Sequence, residues 1–117
     1  MLSREHRLCR AGDFARVRRE GRAWSHPWLV LTAVSTGGSV TRVGFTVSKR
    51  VGKAHTRNRV KRVLREVVRA YLPSIPTGYD IVIISRPSLV GKSSSAVDEV
   101  VRRQLTNARL LGRTNSA

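Results

Sequence analysis

Between positions 48 and 69 the chain reads SKRVGKAHTRNRVKRVLREVVR. It holds nine basic residues, Lys49, Arg50, Lys53, Arg57, Arg59, Lys61, Arg62, Arg65 and Arg69, against a single acid, Glu66. The chemistry open to such a set is the gripping of phosphate. A guanidinium is a planar fork that takes two phosphate oxygens at once, which a flexible ammonium does less well. Asn58, between Arg57 and Arg59, adds a neutral donor and acceptor able to reach a base edge or a ribose 2′-hydroxyl. Wound at about 100° per residue, the segment separates into two faces. Val60, Val63, Leu64, Val67, Val68 and Tyr71 share one, and Asn58, Lys61, Arg62, Arg65 and Arg69 the other. An ordinary solvated helix face would mix the two signs of charge, and this one does not.

Other chemistries lack their residues. The seven acids, Glu5, Asp13, Glu20, Glu66, Asp80, Asp98 and Glu99, form no motif that would converge on a metal. Asp80 is left to orient an arginine or bind a turn. Gly91-Lys92-Ser93 resembles the end of a phosphate loop, but the glycine required five residues earlier is Arg86. Ser93 to Ser95 therefore reads as a helix entry. His6, His26 and His55 are scattered, and Cys9 is the lone cysteine, so neither a disulfide nor a cysteine-held zinc is expected. A protein-held metal and a self-sufficient protein nuclease are not expected.

The whole chain carries 23 Lys and Arg against 7 acids over 117 residues, a formal charge of +16. Such a field calls for polyanionic company, nucleic acid first. No apolar stretch is long enough for a membrane span, so no membrane partner is expected. The first ten residues hold charges and no apolar core, so no signal peptide is read, and the cytoplasm is the expected compartment.

A fold has to present the basic helix. A first helix is expected from about residue 13 to 20, with Asp13 as its cap and Gly21 as a left-handed exit. A strand over 28–34 is expected to turn back through a hairpin at 36–39 into a second strand over 40–48, with Val43, Phe45 and Val47 on one face. The basic helix follows a glycine-containing loop at 51–55, runs over 56–72 and stops at Pro73. Tyr79 to Ser85, YDIVIIS, is apolar nearly throughout, which suits a strand buried on both faces, with a parallel neighbour. The last helix begins near Ser95, where Ser95 and Asp98 have capping-box spacing. Its stripe is Val97, Val100, Val101, Leu105, Ala108 and Leu111; Gly112 ends it, and 113–117 form a flexible tail. The expectation is a single α+β domain over 1–117, αββ(β)αβα, with a mostly antiparallel sheet packed by helices.

The block VGFTVSKRVGKAHTRNRVKRVLRE, 43–66, resembles the signature of the bacterial ribonuclease P protein family, with Arg57-Asn58-Arg59 as its RNR core. The pattern Leu8, Asp13-Phe14, Val17, Gly21 and the later Tyr79-Asp80-Ile81 and Arg86 are similar as well. The resemblance implies a left-handed βαβ crossover, contrary to the general rule. It implies that Lys49, Arg50, Lys53, Arg57, Asn58, Arg59, Lys61, Arg62 and Arg65 bind the ribonuclease P RNA. It also implies that a cleft between the first helix and the sheet takes the single-stranded 5′ leader of precursor tRNA. Phe14, Val17, Arg18, Trp28 and Arg86 are the leader-binding candidates. The resemblance implies further that the RNA, with its own Mg²⁺, performs the hydrolysis, while the protein binds substrate and supports Mg²⁺ binding; no obligate protein partner is expected.

The chain departs from the pattern in the cleft. Arg18 stands at the second aromatic position of the first helix, and Leu31 where an aromatic is often found. Trp28 offers a stacking face instead, with a core position as its alternative; Phe14 has the same alternative. Two other classes compete. A structural RNA-binding module, such as a ribosomal protein, would share the charge and the fold class. A DNA-binding protein would lay the helix in a major groove, but neither helix-turn-helix spacing nor dimerisation heptads are present.

Overall fold

The run YDIVIIS is apolar on alternate and intervening positions alike because both of its faces are covered. In the computed structural model, which describes residues 3–111, it is one of the two interior strands of a four-stranded sheet. The elements are α1 (Ala11–Glu20), β1 (Arg22–Ser25), β2 (Leu29–Ser35), β3 (Arg42–Thr46), α2 (Ala54–Tyr71), β4 (Tyr79–Ser85) and α3 (Ser94–Asn107). The sheet order is β1-β2-β4-β3. β1 and β4 each pair antiparallel with β2, while β3 runs parallel to β4.

One face of the sheet carries α2 and α3. Leu29, Leu31, Val43, Ile81 and Ile83 join Val60, Leu64, Val67, Val68, Val97, Val101 and Leu105 in the main core. The other face carries α1, on a smaller core of Leu8, Val17 and Val82 with Phe14, Val34 and Ile84 against it. The α2 faces divide as their periodicity predicts: Val60, Leu64, Val67 and Val68 are buried, Val63 and Tyr71 half-buried. At its end the Tyr71 hydroxyl is pushed up to about 12 by burial and by its hydrogen bond to Asp98 of α3.

The expected hairpin does not form. β2 and β3 are not neighbours; β4 inserts between them, so residues 36–39 lead across the sheet rather than fold it back. A short local turn signal is outweighed by the long apolar strand, which needs a partner on each side. Three boundary details also differ. α1 starts at Ala11 after Arg10, and Asp13 sits inside its first turn with its carboxylate turned to Arg16 and Arg42. Gly21 is extended, φ −83°, not left-handed. It is needed for close approach, since a Cβ there would lie 2.6 Å from the Val17 carbonyl oxygen and 2.8 Å from that of Ala33. The cap of α3 is Ser93, whose hydroxyl accepts the Ala96 N–H at 3.1 Å. β1 is the optional strand; its sequence RAWS is too short and polar to announce itself. Gly112 and the expected tail lie outside the described residues.

The crossover from β3 through α2 to β4 is left-handed. The Val43 carbonyl accepts the Leu8 N–H at 3.0 Å, so it points to the outer edge of β3, away from β4. The Val43 side chain points to the α2 face. For an L-residue in a strand running upward, side chain toward the viewer, N–H and C=O point right. Seen from α2, β4 therefore lies to the left of β3, the rare hand for this unit.

Candidate nucleic-acid interface

The basic segment enters α2 through a turn that only glycine makes easily. Lys49 and Arg50 lie on a 3-10 turn, Lys49–Val51, and both are exposed. Gly52 follows with φ +153°, and a Cβ there would meet Thr56 at 3.1 Å. The Gly52 carbonyl accepts the Arg57 Nε–H at 3.1 Å, so Arg57 ties the turn to the helix. Lys53 precedes the first helical residue, with no side chain capping it. Asn58, Arg59, Arg62 and Arg65 are exposed along the outer face, and Lys61 is half-buried. Arg69 pairs with Glu66 at 3.5 Å. Among the described residues, none of the other eight cations meets a carboxylate.

A second surface lies on the α1 face. The strand register sets Ser25 opposite Val30, Val30 opposite Ile84, and Ile84 opposite Thr46. These side chains floor a groove that Phe14 and Arg18 overhang from α1, with Thr32 and Val82 beneath. The hollow under them is about 40 Å³, far smaller than the roughly 300 Å³ at which small-molecule pockets begin. It suits the edge of an extended chain. Phe14 lies against Gly44, and it also borders a hollow with Cys9, Lys61 and Arg65. The ridge and the groove thus meet around the edge of β3.

Several candidates fall elsewhere than expected. Val17 is wholly buried and packs α1 onto Val82, so it offers RNA no surface. Leu31 is wholly buried on the opposite face, under the main core, and has no part in the groove. Trp28 packs half-buried against that same core, outside the groove, at the end of the sheet. Arg86 is on the groove side; it continues the Ile84 alternation and donates to Ser25 Oγ at 2.8 Å. The floor residues Val30, Thr32, Thr46 and Ile84 are not among the sequence-based candidates. Their alternation within each strand is visible in the sequence, but their convergence depends on β4 lying between β2 and β3.

At the other end of β4, Asp80 is buried, 1% exposed, and held by two arginines. Arg42 donates Nε–H to Oδ1 at 3.0 Å and Nη2–H to Oδ2 at 2.8 Å, and Arg16 of α1 donates to Oδ2. Burial pushes the Asp80 carboxyl up, but the hydrogen bonds from Arg42 and Arg16 and their charge outweigh it and hold it below the usual range. Asp13 joins through Arg16 at 3.7 Å and Arg42 at 3.6 Å. Guanidinium groups fill the space a cation between these two carboxylates would need. His6 is used on the Thr41 carbonyl at 2.8 Å. Among the described residues, no three His, Cys, Asp or Glu are grouped to hold a metal, and no helix is long and apolar enough to cross a membrane.

A small α+β domain that turns to water a cationic helix face largely without carboxylate partners among the described residues, while tying its buried acid to arginines, belongs to the class that works beside a polyanion. The comparisons with known proteins narrow the class. The Ribonuclease P family profile matches residues 2–109. The ribonuclease P protein component of Chloroflexus aurantiacus is 40% identical over 111 residues, covering 94% of this chain and 82% of that one. That of Gluconacetobacter diazotrophicus is 40% identical over 114 residues, covering 96% and 98%. The RNase P protein of Thermotoga maritima is 33% identical and superposes with a TM-score of 0.68 over 87% of this chain and 93% of its own. That of Staphylococcus aureus, 24% identical, shares the fold with a TM-score of 0.83 over 92% and 98%. The chain belongs to the ribonuclease P protein family, the protein subunit of a ribonucleoprotein endoribonuclease that removes the 5′ leader in tRNA processing. The ribosomal-protein alternative is set aside.

Proposed function

We propose that the α2 ridge binds the catalytic RNA and that the groove under Phe14 and Arg18 binds the single-stranded leader of precursor tRNA. The observation that carries this is the separation of α2 into a buried apolar face and an exposed cationic face almost without carboxylates. Buried Val60, Leu64 and Val68 fix the helix rotation, so Asn58, Arg59, Arg62 and Arg65 stand in one row for consecutive phosphates. The groove adds what a ridge lacks, an aromatic edge beside cations, which suits unpaired bases. Because the two surfaces meet at Lys61 and Arg65, a leader in the groove lies close to RNA on the ridge.

Mg²⁺ chemistry is assigned to the RNA, since the protein's grouped carboxylates are taken by arginine. The protein contributes by adding leader contacts and by placing positive charge beside the RNA backbone, which makes dense phosphate packing around metal ions less repulsive. The cytoplasm, where precursor tRNA would be met, is the proposed compartment. The test combines protein, ribonuclease P RNA, Mg²⁺ and labelled precursor tRNA. Cleavage at the mature 5′ end is expected from the complex and none from protein alone. Cleavage by RNA-free protein at a comparable rate would overturn the assignment.

A further inference from the structure

The groove floor runs out at Ser25 and Arg86, but the polar and aromatic surface does not. The Arg86 side chain lies on the α1 face, while its N–H donates to the Trp28 carbonyl at 2.9 Å. The Trp28 side chain emerges on the other side of that corner, packed on the main core and only partly buried. The Lys92 ammonium sits 5.0 Å from its ring centroid. The His26 ring meets it edge-on, with centroids 5.4 Å apart at 78°.

The corner is braced. The Trp28 N–H donates to His26 Nδ1 at 3.0 Å, and the Ser88 hydroxyl donates to the Pro27 carbonyl at 2.6 Å. Trp28 and the 87–89 turn are thus held together before anything binds. The corner is also positive. Burial, then Arg103 and Arg86, hold the His26 ring below the ordinary histidine value. Arg103 is paired with Glu99 at 3.2 Å, but Arg86 and Lys92 meet no carboxylate among the described residues. An aromatic face under a free ammonium, next to an arginine at the mouth of a groove, is the arrangement that takes an unpaired base on the ring and its phosphate on the cation.

We infer that this corner is a second RNA subsite, in which a leader nucleotide beyond the groove stacks on Trp28 while Lys92 leaves the ring for that nucleotide's phosphate. The inference rests on the groove taking the leader. The groove end at Phe14 adjoins the ridge and hence the catalytic RNA, so the Arg86 end receives nucleotides farther from the cleavage point, toward the leader's 5′ end.

The experiment measures binding of the reconstituted complex to mature tRNA and to precursors whose leaders lengthen one nucleotide at a time. In wild type, affinity should rise for short leaders and then step up again, about tenfold, when the leader reaches Trp28. Trp28→Ala should abolish the second step and keep the first. Trp28 also packs on the core, so Lys92→Gln is the companion variant. It should weaken the second step and lower its salt slope by about 0.7, with the melting temperature unchanged. Equal long-leader gains in wild type and in Lys92→Gln, across salt, would overturn the subsite. A first step without any second in wild type would also overturn it while leaving the groove assignment intact. No preference of wild type for a short-leader precursor over mature tRNA would sink the groove assignment itself.

Discussion

The Phe14 ring lies on the backbone of Gly44: a β-carbon at residue 44 would come within 2.5 Å of Phe14 Cζ and 3.0 Å of Leu8 Cβ. The absence of a side chain on β3 therefore sets how deep the α1 aromatic seats. Gly44→Ala must push the ring outward, toward the groove or off the sheet. Phe14→Ala should weaken precursor tRNA binding by about 1–3 kcal/mol, the worth of one base stacked on an aromatic, and leave mature tRNA binding nearly unchanged. Gly44→Ala should show the same selective loss, smaller in size. Titration of both tRNAs against the reconstituted complex checks this; equal losses for the two tRNAs would assign Phe14 to packing.

The ridge is tested by salt. Removing one cation that grips a phosphate should reduce the magnitude of the salt slope by roughly 0.7 to 0.9. Arg59→Ala and Arg62→Ala should each do so on binding catalytic RNA. Asn58→Ala should weaken binding with little slope change, since it removes no charge. Arg57→Ala should do more than its charge implies, because the Gly52 turn loses its tie. Wild-type binding by the Arg59 and Arg62 variants across the salt range would remove the ridge from the interface.

Asp80 gives a prediction about acid stability. Its carboxyl titrates below the ordinary 3.8 in the folded chain. The stability it contributes is thus present above the unfolded value, near pH 4, and is lost as pH falls through the lower folded value. Asp80→Asn should cost about 3 kcal/mol, the lower end for breaking a buried pair, because Arg16 and Arg42 remain about one-third exposed and can recover water. It should also flatten this part of the acid limb. Chemical denaturation of both proteins at pH 7 and pH 3 measures both effects; an undiminished difference in the variant would place the acid sensitivity elsewhere.

Charge predicts a dependence on anions. Folding gathers the ridge cations, and the whole chain carries +16. At about 0.01 M salt the screening length is about 30 Å, and ordinary domains have only about 5–15 kcal/mol to spare. Ions that bind the folded ridge but not the open chain stabilise by mass action. The free protein should be partly unfolded in dilute, anion-poor buffer and fold as sulfate is added, to a greater extent than with chloride at equal ionic strength. Far-UV circular dichroism follows this; a full native signal without anion would refute it, and an equal chloride response would reduce it to screening.

The parts of the fold that can be read from the chain are those whose signals are long and local. The α2 stripe from Val60 to Tyr71 recurs over three turns, and the β-branched run from Tyr79 to Ser85, stopped by Arg86-Pro87, suits a strand covered twice. What escapes such a reading is non-local. The chain does bend at residues 38–39, but no local feature says that β4 will enter between β2 and β3. Alternation already puts Leu31 and Val30 on opposite faces; the insertion decides that Ile84 and Thr46 stand beside Val30. Val17 shares the α1 face of Phe14 and Arg18 by spacing, yet burial reserves it for packing. The ridge needs only one helix and is legible; the groove needs four strands in register and is not.

β2 and β3 share no hydrogen bonds; each is completed only by β4, the last strand in the chain. During synthesis, the whole ridge segment emerges before the strand that will hold it. A chain halted before Tyr79 carries all nine cations of residues 49–69 but lacks β4, and with it the Val82 and Ile84 side chains that join the groove floor across β2 and β3. The groove is therefore finished late, when residues 79–85 enter between β2 and β3, and α3, which emerges after them, completes the core that docks α2. Those seven residues come late: the nascent chain presents the ridge cations before the groove between β2 and β3 can form.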